Sequence, residues 1–196
     1  MRFLIGCLKG NNMHPVKYVW ALRALFYKLY YSHIGKFTYI GKPLYVEGTK
    51  RISIGERVRI YPGIRVEALK NGNICIGNNT VIEQNVHIIS GYNTLDIGEN
   101  TTISANVFIS NVDHEYEQID KSVMDQRLVS NETLIGKGCF LGYGSVILPG
   151  TKLGNHCIVG ANTVVRGSYP DNCVIVGIPA KIIKRYNSNY MKWEKV

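Results

Sequence analysis

IGKGCFLGYGSVILPGTKLGNHCIVGANTV, residues 135–164, decides how this chain folds. An aliphatic residue is followed by glycine, and a small residue stands three places after that glycine: Ile135-Gly136-x-x-Cys139, Leu141-Gly142-x-x-Ser145, Leu153-Gly154-x-x-Cys157 and Val159-Gly160-x-x-Thr163. The same unit occurs upstream as Ile54-Gly55-x-x-Val58, Ile76-Gly77-x-x-Thr80 and Ile97-Gly98-x-x-Thr101, so the rhythm runs from about residue 40 to 165. One unit offers the interior one large and one small side chain, too little for a core, so successive rungs must stack. Three hexapeptides make an 18-residue triangular coil, and about seven coils at the ~4.8 Å strand spacing give a prism roughly 35 Å tall. Gly, with Asn78, Asn79, Asn100 and Asn155 beside it, is expected to supply left-handed backbone at the corners. An ordinary sandwich would need alternating strands spaced by about 8–12 residues instead. The fold class read from this pattern is all-β, a parallel β-solenoid.

At 196 residues, 45% of them hydrophobic, the chain suffices for one such domain with terminal extras. Residues 1–36 are not repetitive. From Pro15 to Tyr31 they show helical steps through Val16, Val19, Trp20, Ala24, Tyr27 and Tyr31. Residues 37–182 form the repeat column, with an excursion at about 110–134 where the aliphatic register stops at Ile109 and resumes at Ile135. Loops of that length in compact domains are usually functional. Residues 183–196 read as a basic cap over the open end. The five cysteines (Cys7, Cys75, Cys139, Cys157, Cys173) have no zinc-finger spacing, and their odd number argues against a full disulfide framework. Cys139 and Cys157 fall in the same inward slot and read as stacked core residues. Neither a signal peptide nor a spanning helix is indicated, so the expected location is cytoplasmic.

Charge is unevenly placed. Of a formal net +9, seven cations (Arg2, Lys9, Lys17, Arg23, Lys28, Lys36, Lys42) precede the first acidic residue, Glu47. A helix carrying these with Trp and Tyr is suited to an anionic membrane surface, or to packing on the column with a solvated basic face. No nucleic-acid-binding motif accompanies the charge.

The Ile-Gly-x-x-Thr units, the opening Ser110-Asn111-Val112-Asp113-His114 of the excursion, and the ending Val176-Gly177-Ile178-Pro179-Ala180-Lys181 resemble the hexapeptide-repeat acyltransferases. Within that family the likeness is to the branch with galactoside and maltose acetyltransferases and the O-acetyltransferases of bacterial surface polysaccharides, over roughly residues 50 to 185. The resemblance implies a left-handed parallel β-helix, assembled as a homotrimer with active sites between columns. It also implies acetyl-CoA as co-substrate, a glycan as acceptor and no metal.

Acetyl transfer from a thioester to a sugar hydroxyl requires the hydroxyl to lose its proton as it attacks, and imidazole has the pKa for that role near neutrality. His14 and His33 lie in the N-terminal segment, His156 at a corner and His87 on an outer face. His114 opens the one large excursion, at the place where the resembled family has its general base. Asp113 and Glu115 are candidates to hold its other ring nitrogen. Asn85 matches, with a small shift, the family's acceptor-binding asparagine, and Asp125 and Gln126 lie where the excursion would fold over the acceptor.

On the donor side the resemblance places the pantetheine slot along Phe140 to Tyr143 and Gly160 to Ala161. A backbone N–H near Gly142 or Tyr143 would bind the oxyanion, and Arg166, Lys181 and Lys184 would meet the phosphates. The family often has Trp where this chain has Phe140. Alternatives of the same fold are serine O-acetylation, sugar N-acetylation, or a non-catalytic or metal-binding relative similar to γ-carbonic anhydrases. The last needs three converging histidines, and His87 and His114 are 27 residues apart, not a multiple of 18.

Overall fold

The computed structural model describes residues 14–196. Among these, the chain winds into six complete three-strand coils and two strands of a seventh, and equivalent strands pair in parallel to make three sides. The first side runs from His33–Ile34 to Ser168–Tyr169, the second starts at Tyr39–Ile40, and the third runs from Tyr45–Glu47 to Val164–Val165. This is the left-handed β-helix that the resemblance implied. Along the second side Ile40, Ile60, Ile82, Ile103, Leu141 and Val159 stack in register, all buried. Each such side chain stabilises the fold by about 1.5–3 kcal/mol relative to exposure, which is why the aliphatic position repeats.

The small position has its own cause. At the first corner Thr38 Oγ1 donates to Gly55 O at 2.8 Å, Thr101 Oγ1 to Gly136 O at 3.1 Å, and Cys139 Sγ to Gly154 O at 3.2 Å. Each small residue thus gives the next coil's corner carbonyl a partner inside the column.

The glycine serves differently from the expectation. A Cβ on Gly136 would lie 2.5 Å from the backbone carbonyl of Gly154, so glycine is needed where stacked corners touch. The left-handed residue comes two places later, at Arg57, Asn79, Asn100, Gly138 and His156, with φ from 53 to 64°. Asn78 and Asn155 stay out of that conformation; their Oδ1 atoms accept the Glu56 and Lys137 N–H groups of the preceding coil at 2.8 and 2.9 Å.

Coil length also departs from 18. That spacing holds where Ile135 stacks on Leu153, whereas Ile54, Ile76 and Ile97 are 22 and 21 residues apart. Much of the difference lies on the third side: Arg65–Leu69 and His87–Gly91 have five residues each, against two in Val146–Ile147 and Val164–Val165. The 18-residue argument for separating His87 from His114 therefore has no force.

Helix Pro15–Tyr27 packs Ala24 and the ring of Trp20 against the first coil. It ends before Tyr31 because Tyr27 O accepts both the Tyr30 and Tyr31 N–H groups, closing a tight turn. Burial pushes the Tyr31 phenol pKa well up. Cys7, Arg2 and Lys9 lie outside the described residues. At the other end, Lys181–Asn187 runs antiparallel to Cys173–Val176, and Lys192–Lys195 follows it as the edge strand. Cys173 joins the core thiols, 3.6 Å from Cys157 Sγ. Burial pushes its thiol up to about 12, so it stays protonated at neutral pH.

Candidate active site

After Ile109 the chain leaves the column at its third corner. Val112–His114 pairs antiparallel with Leu128–Ser130, and Thr133 brings the chain back by donating its hydroxyl to Ser110 O at 3.2 Å. The root of this hairpin is Asn111, fully buried. Its Oδ1 accepts the Gly91 N–H at 2.8 Å, and its Nδ2 donates to Ser90 Oγ at 3.0 Å and Asn93 O at 3.3 Å. A buried amide with these partners fixes where the hairpin departs, and thereby where His114 stands.

The hairpin and the third side enclose a cleft of about 670 Å³. Its floor is Ile89, Phe108 and Ser110. One wall is Leu69, Lys70 and Tyr92, at the ends of the longer coils; the other is His114, Met124 and Leu128 from the excursion. A mostly apolar cleft with a few convergent polar groups suits a small organic ligand.

His114 is half-buried, and its Nδ1 is buried with no hydrogen-bond partner. Neither proposed helper holds the ring. Asp113 Oδ1 accepts the His114 backbone N–H at 3.0 Å while Oδ2 lies 3.3 Å from Arg166 Nη2. Glu115 Oε1 is taken by Arg127, at 3.1 Å from Nε and 2.7 Å from Nη2. No side chain or carbonyl of the described residues therefore fixes the ring's tautomer through Nδ1.

The remaining acceptor-side residues are dispersed. Asn85 sits at the second corner with φ 57°, its Oδ1 filling the space that a Cβ on Gly63 would need; it does not line the cleft. Gln126 lines the cleft, but its Nε2 donates to Gln118 O and Lys121 O and its Oε1 accepts the Gln118 N–H, so its amide braces the loop. Asp125 is exposed outside the cleft.

On the donor side, Gly142 packs against Ala161: a Cβ there would lie 2.7 Å from Ala161 N. The Gly142 N–H donates to Val159 O at 2.9 Å, so it is not an available oxyanion donor. The next residue differs. At the first corner the equivalent N–H groups are capped by side chains, as Lys137 is by Asn155 and Asn155 by Asp171. At the second corner the Tyr143 and Ala161 N–H groups have no partner among the described residues. Phe140 and Tyr143 are exposed beside them. Arg166 is at the third corner with Asp113, and Lys184 pairs with Val174 away from the corner, whereas Lys181 pairs with Val176, whose side chain stacks on Gly160, so of the three cations Lys181 lies at the Ala161 end of the second side.

Leu69, Lys70, Tyr92 and Phe108 were not singled out from sequence, and Asn111 was quoted only as part of the motif that opens the excursion. The signal for the walls was present in the two to four residues by which early coils exceed 18. Among the described residues no three His, Cys, Asp or Glu side chains are grouped to hold a metal ion.

The bacterial transferase hexapeptide family (six repeats) matches residues 132–167. WbbJ of Escherichia coli (strain K12), named provisionally as a lipopolysaccharide biosynthesis O-acetyl transferase, is 39% identical over 160 residues, 78% of this chain and 81% of that protein. The galactoside O-acetyltransferase of the same strain is 29% identical over 69% of this chain, which spans 64% of its length. Among solved structures, a single-residue variant of AntD, an N-acyltransferase from Bacillus cereus in complex with dTDP and coenzyme A, superposes with a TM-score of 0.73. It is 21% identical, and the match covers 85% of this chain and 90% of that one.

Proposed function

The chain belongs to the hexapeptide-repeat acyltransferases, and we propose that it transfers acetyl from acetyl-CoA to a sugar hydroxyl of a bacterial surface polysaccharide or its precursor. The observation that carries the reading is His114, on a hairpin rooted by Asn111 and lining the cleft that joins the excursion to the column. With the ring's resting hydrogen on Nδ1, Nε2 takes the proton of the acceptor hydroxyl as its oxygen attacks the thioester carbonyl. The C–O bond forms, the carbonyl electrons move onto oxygen, and the unpaired Tyr143 and Ala161 N–H groups are suited to hold that charge. Collapse breaks the C–S bond, and the imidazolium returns its proton to the departing thiolate.

His114 and the Tyr143–Ala161 corner stand on different edges of the triangular column, separated by the width of the third side. One chain's base would therefore work with a neighbour's donor corner, which supports a homotrimer. The glycan reading also supports a place at the inner membrane face. Leu22, Leu25, Leu29 and Phe37 are exposed, beside Lys28, Lys36 and Lys42 and with no acidic residue before Glu47. Among the described residues no helix is long and apolar enough to cross a membrane.

The test follows free thiol released from acetyl-CoA with monosaccharide, amino-sugar and serine acceptors. His114→Ala should lower kcat by about 10²–10⁴-fold while leaving coenzyme A binding intact. Near wild-type turnover would overturn the assignment, and transfer to amines or serine alone would move the reading to another branch of the family.

A further inference from the structure

The longer coils bring a charge to the cleft. The five-residue strands Arg65–Leu69 and His87–Gly91 pair along their whole length, Leu69 with Gly91, and the chain then turns at Lys70 and at Tyr92. Both turn residues are left-handed, with φ 50 and 64°. That backbone is unfavourable for a residue with a long or ringed side chain, and asparagine is its most frequent occupant elsewhere in this column, as at Asn79, Asn100 and Asn162. Residues held in such conformations against local preference concentrate at ligand sites. Here both line the cleft wall, and the extra residues that create them leave the interior stack undisturbed.

Lys70 differs from the other charges of the site. Asp113 is tied to Arg166, and Arg127 to Glu115. Farther out on the third side the Glu67 carboxylate is closed between Arg65, with Nε at 2.7 Å, and His87, with Nε2 at 2.8 Å. Each of these carboxylates has its own cation. The Lys70 ammonium has no hydrogen bond or ion pair among the described residues, and it lines a cleft whose floor is largely apolar. An unanswered cation on the wall of such a cleft attracts an anion more strongly than one on open surface, because low-dielectric walls focus its field.

The position of the turn says which substrate the anion belongs to. The hairpin leaves the column two rungs after the Lys70 turn, ~10 Å along the axis, so a sugar at His114 has space for a neighbouring group before it meets the ammonium. Tyr143 stands a rung beyond the hairpin, and Ala161 and Lys181 follow in later coils, so the donor leads away from Lys70. We propose that the acceptor is anionic: Lys70 holds a carboxylate or phosphoryl group carried next to the acetylated sugar, and so selects acidic over neutral acceptors. This rests on the reading of the cleft as the acceptor site and adds the charge of what the cleft takes.

The test compares the intact protein with Lys70→Met, which keeps the length of the side chain without its charge, and Lys70→Arg, which keeps the charge. Acceptors are a hexose 1-phosphate, a disaccharide ending in a uronic acid, and the matching neutral hexoside and disaccharide. The wild type should favour at least one anionic acceptor over its neutral match by about ten-fold or more in kcat/KM, and the phosphate and uronate arms tell which group the site takes. Lys70→Met should remove that preference, Lys70→Arg should retain most of it, and rising salt should erode it in the wild type. No preference in the wild type, a preference that survives Lys70→Met, or a loss confined to KM for acetyl-CoA would overturn the proposal, the last by assigning the ammonium to the donor. Dissociation of the assembly in Lys70→Met would overturn it too, by making Lys70 an interface contact. Should no acceptor turn over, calorimetric titration with the two anionic sugars decides. Binding that Lys70→Met weakens about ten-fold would leave the anion site standing and refute the reaction, whereas equal affinity in the two proteins, or no binding by either, would refute the anion site as well.

Discussion

Removing the Asn111 side chain should loosen the hairpin and silence the enzyme while sparing the donor corner. In Asn111→Ala the Gly91 N–H loses its acceptor, and Ser90 Oγ and Asn93 O each lose a donor, all at the buried root of the excursion. A buried group left unsatisfied costs about 1–3 kcal/mol, and a lost hydrogen bond about 0.5–1.5 kcal/mol net. One orphaned donor and two lost bonds, with Ser90 still donating to Asn93 O at 2.9 Å, amount to roughly 3 kcal/mol. With a urea m-value of about 2 kcal/mol/M, the midpoint should fall by about 1.5 M at fixed protein concentration. Asn111→Leu fills the space yet leaves the same groups unpaired, so it should destabilise similarly. Hydrogen exchange should rise first in residues 110–134, and turnover should drop with coenzyme A affinity unchanged. A midpoint shift below about 0.3 M, with turnover retained, would refute the claim that this amide roots the hairpin.

Gly142→Ala places a Cβ against backbone of the next coil, so it should displace the Tyr143–Ala161 corner and weaken coenzyme A binding; unchanged binding in a titration would remove that corner from the donor site. Glu67 has a lowered pKa in the folded protein, so its pairing contributes stability that is present above the ordinary carboxyl pKa and lost as pH falls through the folded value. Glu67→Gln should therefore flatten the acid limb of a Tm-against-pH curve, and an unaltered limb would contradict the pairing. The intact protein should co-sediment with vesicles containing anionic lipid and release as salt rises. Loss of that binding in a Leu22→Ser, Leu25→Ser, Leu29→Ser variant would support the membrane face. Absence of sedimentation by the wild type, or dissociation of the assembly in the variant, would assign the helix a structural role instead.

The repeat was legible because each rung obeys one local rule. Ile-Gly-x-x-Thr encodes a buried aliphatic, a contact between corners and a side-chain bond to the next carbonyl, and all three recur at fixed spacing. His114 stood out in the sequence because it lies at the start of the excursion that interrupts that rule. The cleft walls were not, because Leu69 and Tyr92 owe their place to extra residues that leave the interior stack undisturbed. Asn85 shows a different limit: a corner asparagine in left-handed backbone and an acceptor-binding asparagine look alike in one sequence, and the structure adds its stacking on Gly63. The ties of Asp113 and Glu115 to Arg166 and Arg127 are contacts across 53 and 12 residues, for which periodicity carries no signal.

The reversal of direction at Lys181 limits growth of the second side. A parallel strand left open at the end of a column is a template on which another copy could add its own first rung, and repetition of that step makes a fibre. Here the next strand runs backwards, and the edge after it, Lys192–Lys195, presents exposed lysines to an incoming chain. A second molecule would have to pair with an antiparallel, positively charged edge, while its own leading end is covered by a helix in a segment that is also basic. Like charge at both ends makes head-to-tail polymerisation of the columns unfavourable, and leaves lateral association as the open route to assembly.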